Sequence, residues 1–198
     1  MRTSAVATGL FAAAAYATSA PTCEGPPCMT AAQAQTVATN FGDLISAYST
    51  ANAEAYLTAD YTDYSSSVNT LIDYGCPAGP VPLDAPTFTS RAAFIQGQGS
   101  QPDIPFNQEN LWYTCDTVFI RWSTTVAPGS PETVTGIIAA ETVYNATAAF
   151  PFQIQTVYSE FNSGAWLVDL GVFKPTCPPP PPPKNKRSVG SNLPARMA

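Results

Sequence analysis

The sequence predicts an α+β fold, with helices first and an antiparallel meander of strands after them. Two patterns and one total lead there. Apolar residues recur at three-and-four spacing after residue 30, and period-two segments rich in Val, Ile, Thr and aromatics fill the second half. Of 198 residues, 45% are hydrophobic and 11% aromatic, enough for the core of one domain and too much for a disordered chain.

The N-terminal residues read as a secretory signal over 1–20. Arg2 supplies the positive start, 5–16 is a short apolar and small-residue run, and Ala17-Thr18-Ser19-Ala20 offers a cleavage point before Pro21. The run is too short to span a bilayer. A short segment, 21–29, precedes the domain, expected over 30–174. Thr30-Ala31-Ala32-Gln33 is a capping box, and Ala34, Val37, Ala38, Phe41, Leu44, Ile45 and Tyr48 follow on one helical face. A shorter helical turn is expected around 54–57. Ser90 caps a second short helix through Phe94 and Ile95, ended by Gly97. Strands are expected over 111–115, 117–126, 134–144, 152–161 and 165–173. Asn162-Ser163-Gly164 would join the last two in a hairpin that sets Glu160 opposite Trp166 and Tyr158 opposite Val168. Phe152, Ile154, Tyr158 and Glu160 would then share the apolar face.

Residues 175–198 form a proline-rich spacer and polar tail: 178–183 is uninterrupted proline, an extended polyproline II segment. Lys186-Arg187 is a dibasic site for a processing protease or simply part of a solvated tail. No apolar C-terminal run follows, so neither a lipid-anchor signal nor a membrane span is expected there.

Composition excludes whole classes of chemistry. The chain has no histidine, which removes Ser-His-Asp and Cys-His catalysis and imidazole metal sites. Its net charge of −6 argues against nucleic-acid partners. The tail hides how acidic the domain is: residues 21–177 hold three basic residues (Arg91, Arg121, Lys174) against all fourteen acids, a net charge of −11. No cofactor motif or metal set is expected, and Gly97-Gln98-Gly99 lacks the preceding strand and the lysine of a phosphate loop. Five cysteines (Cys23, Cys28, Cys76, Cys115, Cys177) contain no Cys-x-x-Cys pair. In an oxidising compartment they fit two disulfides with one left over, in a pairing the spacing does not give. A spare Cys23 or Cys177 could bridge two chains, which leaves a homodimer open. Asn145-Ala146-Thr147 is a glycosylation sequon between two expected strands.

The order and spacing of several segments resemble the nuclear transport factor 2-like superfamily (SnoaL and ketosteroid-isomerase-like), in particular small secreted fungal proteins with this domain. The segments are the helix over 28–45, Asp60-Tyr61-Thr62-Asp63-Tyr64-Ser65 with Ser67-Val68-Asn69, Gly75-Cys76-Pro77, Phe88-Thr89-Ser90-Arg91-Ala92-Ala93-Phe94, Gly97-Gln98-Gly99-Ser100-Gln101-Pro102, Cys115-Asp116 and the run 157–171. The resemblance implies a curved sheet wrapped around helices as a cone with an open pocket, and a fungal, extracellular protein. Relatives of this kind include isomerases, cyclases, dehydratases and epoxide hydrolases, but chemistry that needs imidazole cannot be carried over.

Candidate site residues follow from the carboxylates, tyrosines and single strand arginine that remain. Asp63 or Glu160 would act as a base and Tyr64 or Tyr158 as a donor to a developing oxyanion. Each also has an ordinary reading, as turn cap, wet tyrosine or solvated acid. Arg121, within an apolar strand, needs an acid partner, with Glu141 and Glu160 the candidates. Asp169 would face away from the core and is set aside. A small apolar ligand would meet Phe41, Ile45, Tyr48, Ile154, Tyr158 and Trp166, the same side chains that would make a closed core. Three functions stay open: an apolar-ligand binder, an isomerase, cyclase or hydrolase, and a surface protein that makes contacts through its acidic face or proline tail.

Overall fold

The computed structural model describes residues 25–76, 78–127 and 129–176. The expected signal segment, Cys23, Cys177, the proline run and Lys186-Arg187 lie outside the described residues.

Helix α1 (Ala31–Ser46) begins at the expected capping box: the Thr30 hydroxyl accepts from Gln33 N, and Gln33 Oε1 accepts from Thr30 N. Ala34, Val37, Ala38, Phe41 and Leu44 are its buried stripe. Ser49 caps α2 (Thr50–Tyr56), which leads directly into β1 (Leu57–Tyr64). This strand was not expected from its sequence, because a bulge breaks its alternation. The five steps from Leu57 to Thr62 run beside only two steps of its partner, Ile154 to Thr156. Helices α3 (Ser66–Ile72) and α4 (Arg91–Gln98) follow, each capped by the preceding serine. Gly97 lies inside α4 instead of ending it. A Cβ there would stand 2.5 Å from the Phe88 ring, so glycine is what lets the ring close on the helix.

Strands β2 (Asn107–Tyr113), β3 (Thr117–Thr124), β4 (Val134–Tyr144) and β5 (Phe152–Phe161) form the antiparallel meander. The sheet order is β1-β5-β4-β3-β2, with β1 parallel to β5. The α+β class therefore stands, with helices packed against a curved five-stranded sheet. The expected strand over 165–173 does not form. Residues Ser163–Asp169 are helix α5, with the Asn162 side chain capping Ala165 N. The tight hairpin would have needed a free edge on β5, and β1 already occupies it.

A second correction concerns the faces of β5. Glu141 pairs with Thr156 and Thr142 with Ile154, so Gln155 is an extra residue bulged between them. Alternation restarts one residue later, which inverts the faces. Phe152, Ile154, Val157 and Ser159 are buried, while Tyr158 is 47% exposed and Glu160 is exposed. On that outer face Trp112, Phe119, Ala139, Tyr158 and Tyr64 stand in register across all five strands.

Cys28 is bonded to Cys115, 87 residues apart, and Met29 N donates to Cys115 O at 2.9 Å. The start of α1 is thereby tied to the β2–β3 turn. Cys76 is free and exposed. No helix among the described residues is long and apolar enough to cross a membrane.

Candidate functional site

Between the helices and the inner face of the sheet lies a cavity of about 570 Å³, a size that suits a small organic ligand. Its aromatic wall runs from Phe41 on α1 through Phe106 and Trp122 to Phe161 and Trp166. Phe106 stacks on Trp122 with centroids 5.3 Å apart, and Trp122 meets Phe161 edge-on at 5.8 Å. Val68 and Leu71 of α3, with Ile45 and Ile138, complete much of the apolar lining. Exposed Ile72, Tyr74 and Leu170 lie where the lining reaches solvent. Tyr74 has φ 55°, an uncommon left-handed conformation for an aromatic residue, where the chain turns out of α3 into Gly75.

The one charged side chain in this lining is Asp63. Its backbone is held on two sides: it pairs with Val157 of β5, and Asp63 N donates to Phe88 O at 2.9 Å while Thr87 N donates to Asp63 O at 2.8 Å. Buried Asn69 fixes that second strip, donating to Ala85 O and accepting from Thr87 Oγ1, both at 2.9 Å. Asp63 is 7% exposed. The fully buried Tyr61 hydroxyl donates to its Oδ2 at 3.1 Å, while Oδ1 has no hydrogen-bond partner. Burial raises the carboxyl to about 7; the Tyr61 hydrogen bond pulls it down and the Glu160 charge pushes it up again. Burial, with Asp63 beside it, also pushes the Tyr61 phenol well above its ordinary value.

The other expected acid, Glu160, works from outside. Its carboxylate accepts from Ser66 N and Ser67 N at 2.9 and 3.0 Å and from the Ser67 hydroxyl, which in turn accepts from Phe161 N. It thus holds the first turn of α3 to the end of β5 and keeps Val68 and Leu71 over the cavity. Tyr64 and Tyr158 stack on one another on the outer face, with centroids 5.3 Å apart, so neither reaches Asp63 from within. Arg121 also faces out and pairs with Glu109 at 3.2 Å, not with Glu141 or Glu160. Asp169 accepts from Glu132 N.

Of the six residues expected to meet a ligand, Phe41, Ile45 and Trp166 line the cavity. Ile154 belongs to the closed core against Leu57. Tyr48 packs on Phe94 and donates to Ile95 O, and Tyr158 lies outside. Sequence reasoning missed Phe106 and Trp122. Trp122 could have been found, since it alternates with Val118 and Ile120, both fully buried. Trp122 Nε1 is buried without a partner and stands 2.8 Å from where a Cβ on Gly136 would lie. No group of three or more Cys, Asp or Glu side chains among the described residues is placed to hold a metal.

Residues 27–173 match the family described as an NTF2-like domain. No curated protein matches the chain in sequence. Among solved structures it is similar to IdmH from Streptomyces antibioticus, at 14% identity over 70% of this chain and 99% of that one, with a TM-score of 0.49. Nuclear transport factor 2 from Cryptosporidium parvum is 9% identical over 66% of this chain and 93% of that one, at 0.47. A SnoaL-like protein of unknown function from Burkholderia thailandensis E264 is 12% identical over 67% and 98%, at 0.44. At these values the neighbours carry no argument about activity.

Proposed function

Given that this chain belongs to the NTF2-like domain family, we propose that it is a secreted protein that binds a small, largely apolar molecule through one polar contact at Asp63. The observation that carries this reading is the unpartnered Asp63 Oδ1, buried in an apolar cavity of about 570 Å³. An orphaned buried carboxylate oxygen costs free energy that a bound polar group would return. Secretion is supported by the signal-like N-terminus and by the Cys28–Cys115 disulfide, which an oxidising compartment sustains. A glycan on Asn145 belongs to the same proposal. The residue is exposed, its Oδ1 accepts from Thr147 N and Oγ1, and it follows the end of β4 remote from Ile138 and the cavity. Native mass spectrometry of the full chain purified from culture medium tests the reading. A reproducible mass excess, lost on denaturation, is expected. A protein without that excess, and unable to take up the neutral apolar dye Nile red, overturns it.

One observation favours a second reading, an isomerase. A carboxyl near 7 serves as base and acid at neutral pH. Asp63 Oδ1 would take a proton from the α-carbon of a β,γ-unsaturated ketone and return it to the γ-carbon of the resulting dienolate, so that the double bond moves into conjugation with no net redox change. Tyr64, Tyr158, Glu160 and Arg121 do not line the cavity, so this reading gives none of them a contact with the substrate. Turnover of an activated ketone that survives Asp63→Asn would remove this reading.

A further inference from the structure

The charge distribution around the cavity narrows the class of ligand, on the premise that the cavity binds one. Asp63 is a buried acid with no cation beside it. The three basic side chains among the described residues are all committed or placed elsewhere. Arg91 donates to Glu54 O and Leu57 O, Arg121 pairs with Glu109 on the outer face, and Lys174 is exposed beyond α5. The other ionisable groups on neighbouring elements add negative or neutral character. They are Asp60, Tyr61 and Tyr64 on β1, Tyr158 and Glu160 on β5, Asp73 and Tyr74 just past the end of α3, and Asp169 on α5. The cavity that Asp63 lines is also lined by the aromatic side chains of Phe106, Trp122, Phe161 and Trp166, whose rings attract a cation and whose area suits hydrocarbon. Outside, a net charge of −11 over residues 21–177 favours the approach of cations over anions.

We propose that the ligand is an apolar amine, an ammonium group on an aromatic or alicyclic body, whose nitrogen pairs with Asp63 Oδ1 while its body lies along the Phe106–Trp166 wall. The pairing requires the ionised carboxylate, so amine binding strengthens as pH rises through the Asp63 transition. Below that transition, binding expels the proton from Asp63 into solvent. A neutral ligand that accepts a hydrogen bond from protonated Asp63 would behave in the opposite sense.

Three probes of similar shape separate these cases by isothermal titration on the full chain at pH 5.5 and pH 8: 2-(1-naphthyl)ethylamine, 1-propylnaphthalene and 1-acetonaphthone. An alkylamine stays cationic at both values. The amine is expected to bind at least about tenfold more tightly than propylnaphthalene at pH 8, the scale of one charge-assisted hydrogen bond. That preference should shrink at pH 5.5, where titrations in buffers of different ionisation enthalpy should show proton release. It should vanish in Asp63→Asn, to which amine and propylnaphthalene should bind alike. Should Asp63→Asn fail to fold, proton release and the pH trend in the wild-type protein decide the question. Equal binding of amine and hydrocarbon, or tighter binding of the ketone at pH 5.5, overturns the amine inference and leaves the cavity reading intact. Failure of all three probes and of Nile red overturns both.

Discussion

The buried carboxyl at Asp63 makes a prediction about stability that needs no ligand. In the unfolded chain its value is the ordinary 3.8, and in the fold it is raised to about 7. Between those values the folded state holds a proton that the unfolded state has lost. Stability contributed by this group is therefore full below 3.8 and falls as pH rises towards 7. Each tenfold difference in proton affinity is worth about 1.4 kcal/mol. The span from 3.8 to about 7 thus integrates to roughly 4 kcal/mol of destabilisation at pH 8. Asp63→Asn removes the ionisation while its amide oxygen can still accept from Tyr61. Urea unfolding of both proteins, disulfide intact, followed by tryptophan fluorescence from pH 3.5 to 8, isolates the effect. Every other carboxylate, and the general repulsion of an acidic domain, is common to both and cancels in the difference. The Asn variant should gain about 4 kcal/mol on the wild type across the range, most of it between pH 4 and 7. Parallel stability curves would refute the reasoning, because they would mean that Asp63 is solvated or paired.

Three other perturbations test different parts of the structure. Replacing Cys28 and Cys115 together by alanine reopens a loop spanning 87 positions and should cost about 4.6 kcal/mol on loop-entropy grounds, read as a lower urea midpoint. Gly136→Ala sets a Cβ 2.6 Å from Phe161 Cβ, 2.7 Å from Glu160 O and 2.8 Å from Trp122 Nε1. It should destabilise by about 1–3 kcal/mol and weaken Nile red uptake as Trp122 is displaced. Glu160→Ala leaves Ser66 N and Ser67 N without their acceptor, costing about 1–2 kcal/mol. Removing that charge should also lower the Asp63 transition, which a pH titration of Nile red binding would register.

How much of this was legible in advance depended on the range of the interaction. The capping box at Thr30 and the stripe from Ala34 to Leu44 involve neighbours within a few positions, and both are observed as expected. Asp63 stood out as part of a dense polar and aromatic cluster, but nothing local distinguished it from Tyr64. As neighbours on β1 they point to opposite faces, and the bulge between Leu57 and Thr62 decides which of them takes the cavity side. Trp122 is legible from simple alternation, since it falls two positions after buried Ile120.

Helix periods, caps, turn residues, the absent histidine and the acidic balance are properties of short stretches or of totals, so the chain states them before it folds. The helical fate of Ser163–Asp169 is not of that kind. Asn162-Ser163-Gly164 starts a helix as readily as a hairpin, and the choice fell to β1, about a hundred positions earlier, which had taken the edge of β5. One bulged residue, Gln155, inverted the faces of Tyr158 and Glu160 through its pairing with β4. The Cys28 partner and the ionisation of Asp63 belong with these. Each depends on groups remote in sequence that meet only when burial brings them into a water-poor interior, where a partner's distance sets the energy.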